Sequence, residues 1–283
     1  MQYLANFHSH CDFCDGRAAM ERFVHYAVAK KFTAFGISSH APIPFDSRWA
    51  MKKDDIPDYI QEFKRLQVKY ADSISLYLGL EIDYFPEEKT AVFDAVKNLP
   101  LDYRIGSIHY IDAFPDGTRW IIDGNAHALK VATEQLYDND IKKAVKRFFE
   151  VSEEMIQHAS FDIIGHMDKI VPNASEFSDF DINAKWYKDL MSSIFTLIKE
   201  KGIIVEINTK SLFGRGMTFP NQLFFKQMHE MKIPVMVNSD CHFPDKVSDS
   251  FEETYAMLEA AGFKSVMGMV NGKWEEVEFI SPL

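Results

Sequence analysis

Seven short apolar runs, rich in Val, Ile, Phe and Tyr, punctuate the chain at 3–7, 33–38, 74–82, 103–108, 161–165, 203–207 and 235–238. Each reads as a strand buried on both faces. Between them the apolar positions change to a helical period. Phe23, Val24, Ala27 and Val28 share one face, as do Ile141, Val145, Phe148, Ser152 and Met155. Trp186, Leu190, Ile194, Leu197 and Ile198 form a third such stripe. Asp138 and Asn139 are candidate N-caps of the second helix, and Gly202 ends the third. Strand then helix, seven times over, predicts a parallel sheet covered by helices. A barrel is favoured over an open sheet, because the chain has 283 residues and a (β/α)-barrel takes about 250. One domain over 1–283 is expected, with an insert loop at about 112–136 and a C-terminal extension at about 265–283. Asn271-Gly272 marks a hairpin turn in that extension. The stretch 41–55 reads as a second long loop, and long loops on such scaffolds form lids or substrate walls.

Composition narrows the partners. An apolar fraction of 47% and an aromatic fraction of 14% exclude a disordered chain. Lys+Arg 31 against Asp+Glu 42 gives a net charge of −11. The most basic stretch, 142–147, lies on an amphipathic helix, so neither nucleic acid nor an anionic membrane is an expected partner. No apolar run approaches the ~18 residues of a membrane span, and the first seven residues lack the features of a signal peptide. The 3 cysteines are too few for a disulfide framework and fit a reducing cytoplasm. Cys11 and Cys14 make half a zinc knuckle without its other half, and Cys241 alternates with Asp240 and His242, so all three are read as structural or incidental.

The candidate chemistry gathers at strand ends. His8 and His10 follow the first run, His40 the second, His109 the fourth and His166 the fifth. Asp240 and His242 follow the seventh, Glu81 lies at the end of the third, and Asp15 stands just past His10. The carboxyl edge of a parallel sheet is where barrel enzymes keep their active sites. In His8-x-His10 and Asp240-x-His242, residues two apart on an extended segment point the same way. Imidazole and carboxylate together suit Zn, Mn or Fe. These ligands are too many for one ion, and a central Glu81 could bridge two ions at the ~3.5–4 Å spacing of phosphoesterases. His25, His158 and His229 fall in helical patterns and are set aside, as is His127 in the insert. No phosphate-cradling glycine loop and no serine elbow occurs. Arg215, in Phe213-Gly214-Arg215-Gly216, and Arg17 are the candidate phosphate-binding arginines, and Asn208 could orient a ligand or the substrate.

His8-Ser9-His10, Asp15-Gly16, Ser39-His40-Ala41, Glu81, His109, His166 and Asp240-Cys241-His242 follow the motif order of the PHP (polymerase and histidinol phosphatase) superfamily. The chain resembles that superfamily from about residue 3 to about residue 245. Its length and its Ser-His-Ala-Pro and Gly-Ser-Ile-His-Tyr segments are most similar to monofunctional histidinol-phosphatases. The resemblance implies a distorted (β/α)7 barrel carrying three divalent metal ions, Zn, Mn or Fe. It implies that L-histidinol phosphate is hydrolysed to L-histidinol and phosphate in histidine biosynthesis. Another small phosphorylated substrate, such as a nucleotide, is the alternative. By the same resemblance the first metal takes His8, His10, Glu81 and Asp240. The second shares Glu81 and adds His109 and His166; the third takes Asp15, His40 and His242. Some members carry His where this chain has Asp15. A metal-bound hydroxide attacks phosphorus in line in such sites. Glu81, Asp240 and His242 are then catalytic, with Asp240 or His242 protonating the leaving alkoxide.

Overall fold

The computed structural model describes residues 3–279. Seven parallel strands form one sheet in chain order: Ala5–Asn6, Ala34–Ile37, Ser75–Asp83, Tyr103–Ser107, Ile163–Ile164, Ile204–Asn208 and Val235–Asn238. All seven expected runs are present, each within a few residues of its sequence limits. The sheet curls until its first and last strands meet, giving the expected distorted barrel. At this seam the backbones share only an isolated bridge, Ser9 to Cys241, with His10 N donating to Cys241 O at 2.9 Å. Side-chain amides complete the closure. Asn238 Oδ1 accepts from Phe7 N at 2.7 Å, and Asn6 Oδ1 accepts from Ser239 N at 3.2 Å. Buried backbone N–H groups need acceptors, and two asparagines supply them where the ladder is missing.

Helices cover the outside. Met20–Ala29, Ile141–His158 and Lys185–Lys201 carry the three apolar stripes, and Gly202 stops the last in a left-handed conformation. Asp138 and Asn139 are not the caps of the second. Both adopt positive φ in the preceding turn, and the Asp140 side chain accepts from Lys142 N and Lys143 N instead. Of the loop at 41–55, only Lys53–Asp55 forms a helical turn.

The segment 112–136 departs from its expectation as a loop. Tyr110–Ala113 and Arg119–Ile121 pair as an antiparallel hairpin, and Ala126–Leu136 is a helix capped by Asn125. Trp120, Leu129 and Ala132 are buried in the main core, which a structureless loop could not achieve.

The barrel interior has two storeys. The lower is apolar: Phe7, Ala34, Tyr77, Tyr103, Ile105, Ile163, Ile204 and Met236 pack together there. Tyr103 lies across Gly36 and Gly79, and its hydroxyl donates to Phe7 O at 2.6 Å. The expected C-terminal hairpin, Ser265–Val270 with Lys273–Glu278, turns at Asn271-Gly272, both at positive φ. Its Trp274 packs edge-on against Phe7 with ring centroids 5.2 Å apart and so covers this storey; residues 280–283 of the extension lie outside the described ones. Among the described residues no helix is long and apolar enough to cross a membrane.

Candidate metal centre

The upper storey is polar and almost entirely buried. Glu81, 1% exposed, stands at its middle. Its Oε2 lies 3.1 Å from His8 Nε2, 3.4 Å from His10 Nε2 and 2.9 Å from His40 Nδ1. Its Oε1 lies 2.8 Å from His166 Nε2 and 3.8 Å from His109 Nε2. Each oxygen of one carboxylate therefore serves a different set of imidazoles, which is the geometry of a bridge. Asp240 Oδ1 approaches His10 Nε2 at 3.2 Å and His8 Nε2 at 3.8 Å. Asp15 Oδ1 sits 3.2 Å from His242 Nε2 and 3.8 Å from His40 Nε2. All nine residues expected at the rim thus meet in one continuous cluster. Two of them, His166 and Asp240, stand at positive φ, strain of the kind that accumulates at functional sites.

Several of the converging atoms have no hydrogen-bond partner although buried: His8 Nε2, His10 Nε2, His40 Nδ1, Asp15 Oδ1 and Glu81 Oε2. An orphaned buried polar atom is costly, and so many aimed at one another call for cations between them. The ligand atoms fall into four overlapping groups: His10, Asp15, His40 and His242; His8, His10 and Glu81; His40, Asp83 and His109; Glu81, His109 and His166. A mixed imidazole–carboxylate set of this kind fits divalent transition ions.

The field is strongly anionic. Burial disfavours charge on Glu81, but His40 and His8 outweigh it and hold its carboxyl well below the ordinary range. Burial likewise opposes ionisation of Asp240, yet Lys210 and His8 keep its pKa well below normal. His8 is pushed well above its usual value: against the burial penalty stand Glu206, Glu81 and Asp240. His10 moves the other way, lowered by burial and by His242 and His40. The potential that draws a proton to His8 draws a metal cation in its place.

Outside the ring stand side chains that sequence patterns did not single out. Glu206 and Asp83 are carboxylates inside buried strands, and each holds a histidine. Asp83 Oδ1 lies 2.6 Å from His109 Nδ1, and Glu206 Oε1 lies 2.6 Å from His8 Nδ1. Asn208, expected to orient a ligand or substrate, is fully buried and donates to Glu206 Oε2 and Asp240 Oδ2, so it orients carboxylates. Lys169 and Lys210 reach the cluster as well. Trp49, from the loop at 41–55, walls it, with its ring centroid 4.5 Å from that of His40.

The two arginines sit differently. Arg215 is carried on the short helix Leu212–Arg215 to the outer rim, where it pairs with Glu176 at 3.5 Å. Arg17 is exposed, and its backbone N donates to His242 O at 2.7 Å. Neither guanidinium contacts the cluster. Cys14 Sγ lies 3.5 Å from His10 Nδ1, and burial pushes its thiol up to about 11, while the buried Cys11 and Cys241 are raised further. Neutral thiols fit the structural reading.

A parallel barrel with imidazoles and carboxylates massed at its carboxyl rim defines a metal-dependent hydrolase. The PHP domain family matches residues 6–210, and the chain belongs to that family. It is 23% identical over 270 residues to a Deinococcus radiodurans protein named "Probable histidinol-phosphatase", spanning 94% of this chain and 96% of the relative. Two solved structures share the fold. One from Listeria monocytogenes has a TM-score of 0.80 at 21% identity, covering 89% of this chain and 99% of its own. A histidinol phosphate phosphatase of Lactococcus lactis, solved with Zn, L-histidinol and phosphate, has a TM-score of 0.75 at 16% identity, covering 96% and 98%.

Proposed function

We propose that the chain, acting as one catalytic unit in the cytoplasm, is a metal-dependent phosphomonoesterase that hydrolyses L-histidinol phosphate to L-histidinol and phosphate. The observation that carries this is the convergence of His8, His10, Asp15, His40, Glu81, His109, His166 and His242 into overlapping ligand groups, with Asp240 Oδ1 beside His8 and His10 and only Asp15 and His242 part-exposed. Homology to histidinol-phosphatases over almost the whole of both chains supports the substrate. The family resemblance assigns three ions to these residues: His8, His10, Glu81 and Asp240 for one, Glu81, His109 and His166 for another, Asp15, His40 and His242 for the last. Divalent cations held there would polarise phosphoryl oxygens and lower the pKa of water toward neutrality.

The protein's own contribution is orientation and proton handling. Asp83 and Glu206 fix His109 and His8 through Nδ1, leaving each Nε2 lone pair facing inward. Glu81 holds its two oxygens apart between the imidazole sets. A leaving alkoxide needs a proton; of Asp240 and His242, Lys210 and His8 hold Asp240 ionised, which leaves His242, 3.6 Å away at the rim, as the donor. Trp49 narrows access from the side of His40 and limits bulk water.

The test is a substrate panel. Purified protein loaded with Zn, Mn or Fe is assayed against L-histidinol phosphate, nucleoside monophosphates and simple phosphate esters. Strong preference for L-histidinol phosphate is expected. Turnover confined to nucleotides would replace the substrate assignment, and no turnover with any metal would remove the enzyme assignment.

A further inference from the structure

We propose that Lys169 and Lys210 are the cationic side chains that grip the substrate's phosphoryl group. This rests on the phosphomonoesterase reading and names which residues of this chain hold the anion. Among the described residues they are the two Lys or Arg side chains hydrogen-bonded to the ring of histidines and carboxylates. Lys169, three residues past His166, has a side chain only 11% exposed. Its Nζ lies 2.8 Å from Asp123 Oδ2 and 3.1 Å from His109 Nε2. Lys210, two residues past Asn208, is 43% exposed; its Nζ lies 3.1 Å from Asp240 Oδ1 and 3.3 Å from His242 Nδ1. Lys169 follows the fifth strand and Lys210 the neighbouring sixth, while their acceptors His109 and Asp240 follow the fourth and the seventh, so the two lysines reach different parts of the cluster from adjacent strand ends.

The acceptors they use explain the assignment. His109 Nδ1 is committed to Asp83, so Nε2 carries the lone pair that a metal needs. Asp240 Oδ1 faces His8 and His10 and is equally a ligand atom. At His109 Nε2 an ammonium and a metal cation cannot share the single lone pair, and at Asp240 Oδ1 they compete for the same carboxylate oxygen. With ions in the ligand groups, each lysine gives up that acceptor but stays close. Asp123 tethers Lys169, and the strand end anchors Lys210. Asp123 gives the nearly buried Lys169 one counter-ion, and an anion between its ammonium and the divalent ions offsets their mutual repulsion. A phosphate monoester brings two negative charges and three terminal oxygens to that point. Lysine binds phosphate as a point charge, without the planar fork that Arg215 has turned toward Glu176. The competing account is that Lys169 merely ties the insert, through Asp123, to the loop after the fifth strand.

The experiment uses the full chain, metal-loaded, as wild type and as K169M, K210M, K169R and K210R. Bound metal is measured by elemental analysis, and the affinities for inorganic phosphate and for L-histidinol by calorimetry. Each Met variant should keep its metal, lose phosphate affinity about tenfold or more, and bind L-histidinol unchanged; each Arg variant should recover most of the loss. Should K169M not fold, K210M, on a half-exposed side chain, gives the same comparison. Unchanged phosphate affinity in the Met variants overturns the proposal, as does loss of metal or an equal loss of both ligands. Wild type that holds metal but neither binds phosphate nor cleaves any monoester would sink the hydrolase reading itself.

Discussion

His8 and Glu206 meet at 2.6 Å, Nδ1 to Oε1, with neither exposed to solvent. Glu206 accepts from three further donors: Asn238 Nδ2 at 3.0 Å on the same oxygen, His166 N at 2.8 Å and Asn208 Nδ2 at 3.0 Å on the other. Four donors thus converge on two carboxylate oxygens, which uses their full accepting capacity. One buried side chain thereby sets the ring of His8, the backbone of His166 and the amide that touches Asp240.

Glu206→Gln should damage metal binding before it damages anything else. An amide nitrogen in place of one oxygen confronts two of the four donors, and His8 loses its charged orienter. Metal affinity is expected to fall about 10–100-fold, the usual cost of losing such a support, with part of the activity restored by excess metal. Metal titration of the variant followed by calorimetry checks this. Wild-type affinity would reduce Glu206 to an ordinary buried polar group.

Removing the metal should destabilise the whole domain. Ions bound at a hundred times their Kd contribute about 2.7 kcal/mol to stability. In a chain of this size that corresponds to a Tm fall of about 5–10 °C. Thermal melts with and without an excess of chelator give the comparison. The orphaned atoms of His8, His10, His40, Asp15 and Glu81 supply the reason, since they face one another unscreened once no cation lies between them. A Tm indifferent to chelator would contradict the reading of these residues as ligands.

Much of this was legible before any coordinates, and the physical reasons are specific. Buried parallel strands are continuous apolar runs, so Val235–Asn238 and Ile204–Asn208 announce themselves. Ligands at strand ends follow at once, and so did His8, His40, His109 and His166. The insert did not read as structure because its hairpin pairs irregularly between Tyr110 and Ala113, and its helix buries only Leu129, Ala132 and Thr133. Glu206 left a signal that was open to use: an ionisable residue in the centre of the apolar run Ile204–Asn208 needs a buried partner. Lys169 and Lys210 left none, since a lysine just past a strand end is ordinarily solvated.

Gly79→Ala should lower stability while leaving the ligand ring intact. A Cβ at position 79 would come within 2.4 Å of the Tyr103 ring, which is fully buried and fixed by its hydroxyl bond to Phe7 O. Neither the ring nor the strand can retreat, so overpacking of about 1–3 kcal/mol is expected. Denaturant unfolding measures the loss, and elemental analysis of the folded fraction should show unchanged metal content. A variant of wild-type stability would mean that the lower storey of the barrel is looser than its packing indicates.

The surface offers a pH dependence of known sign. Glu21 accepts from Lys69, from Arg65 Nη2 and from the Tyr70 hydroxyl, linking the helix Met20–Ala29 to the helix Ile56–Lys69. Lys69 first and Arg65 second pull its carboxyl from the ordinary 4.5 down to about 2. A folded-state value below the unfolded one means that the contribution is complete above 4.5, and it fades as pH falls toward 2. Glu21→Gln should therefore lower the Tm at neutral pH by a small, salt-sensitive amount, because the partners are half exposed. The gap between variant and wild type should shrink steadily through the acid range. Melts of both proteins at matched ionic strength from neutral pH downward decide it, and a gap that widened on acidification would reverse the assigned sign.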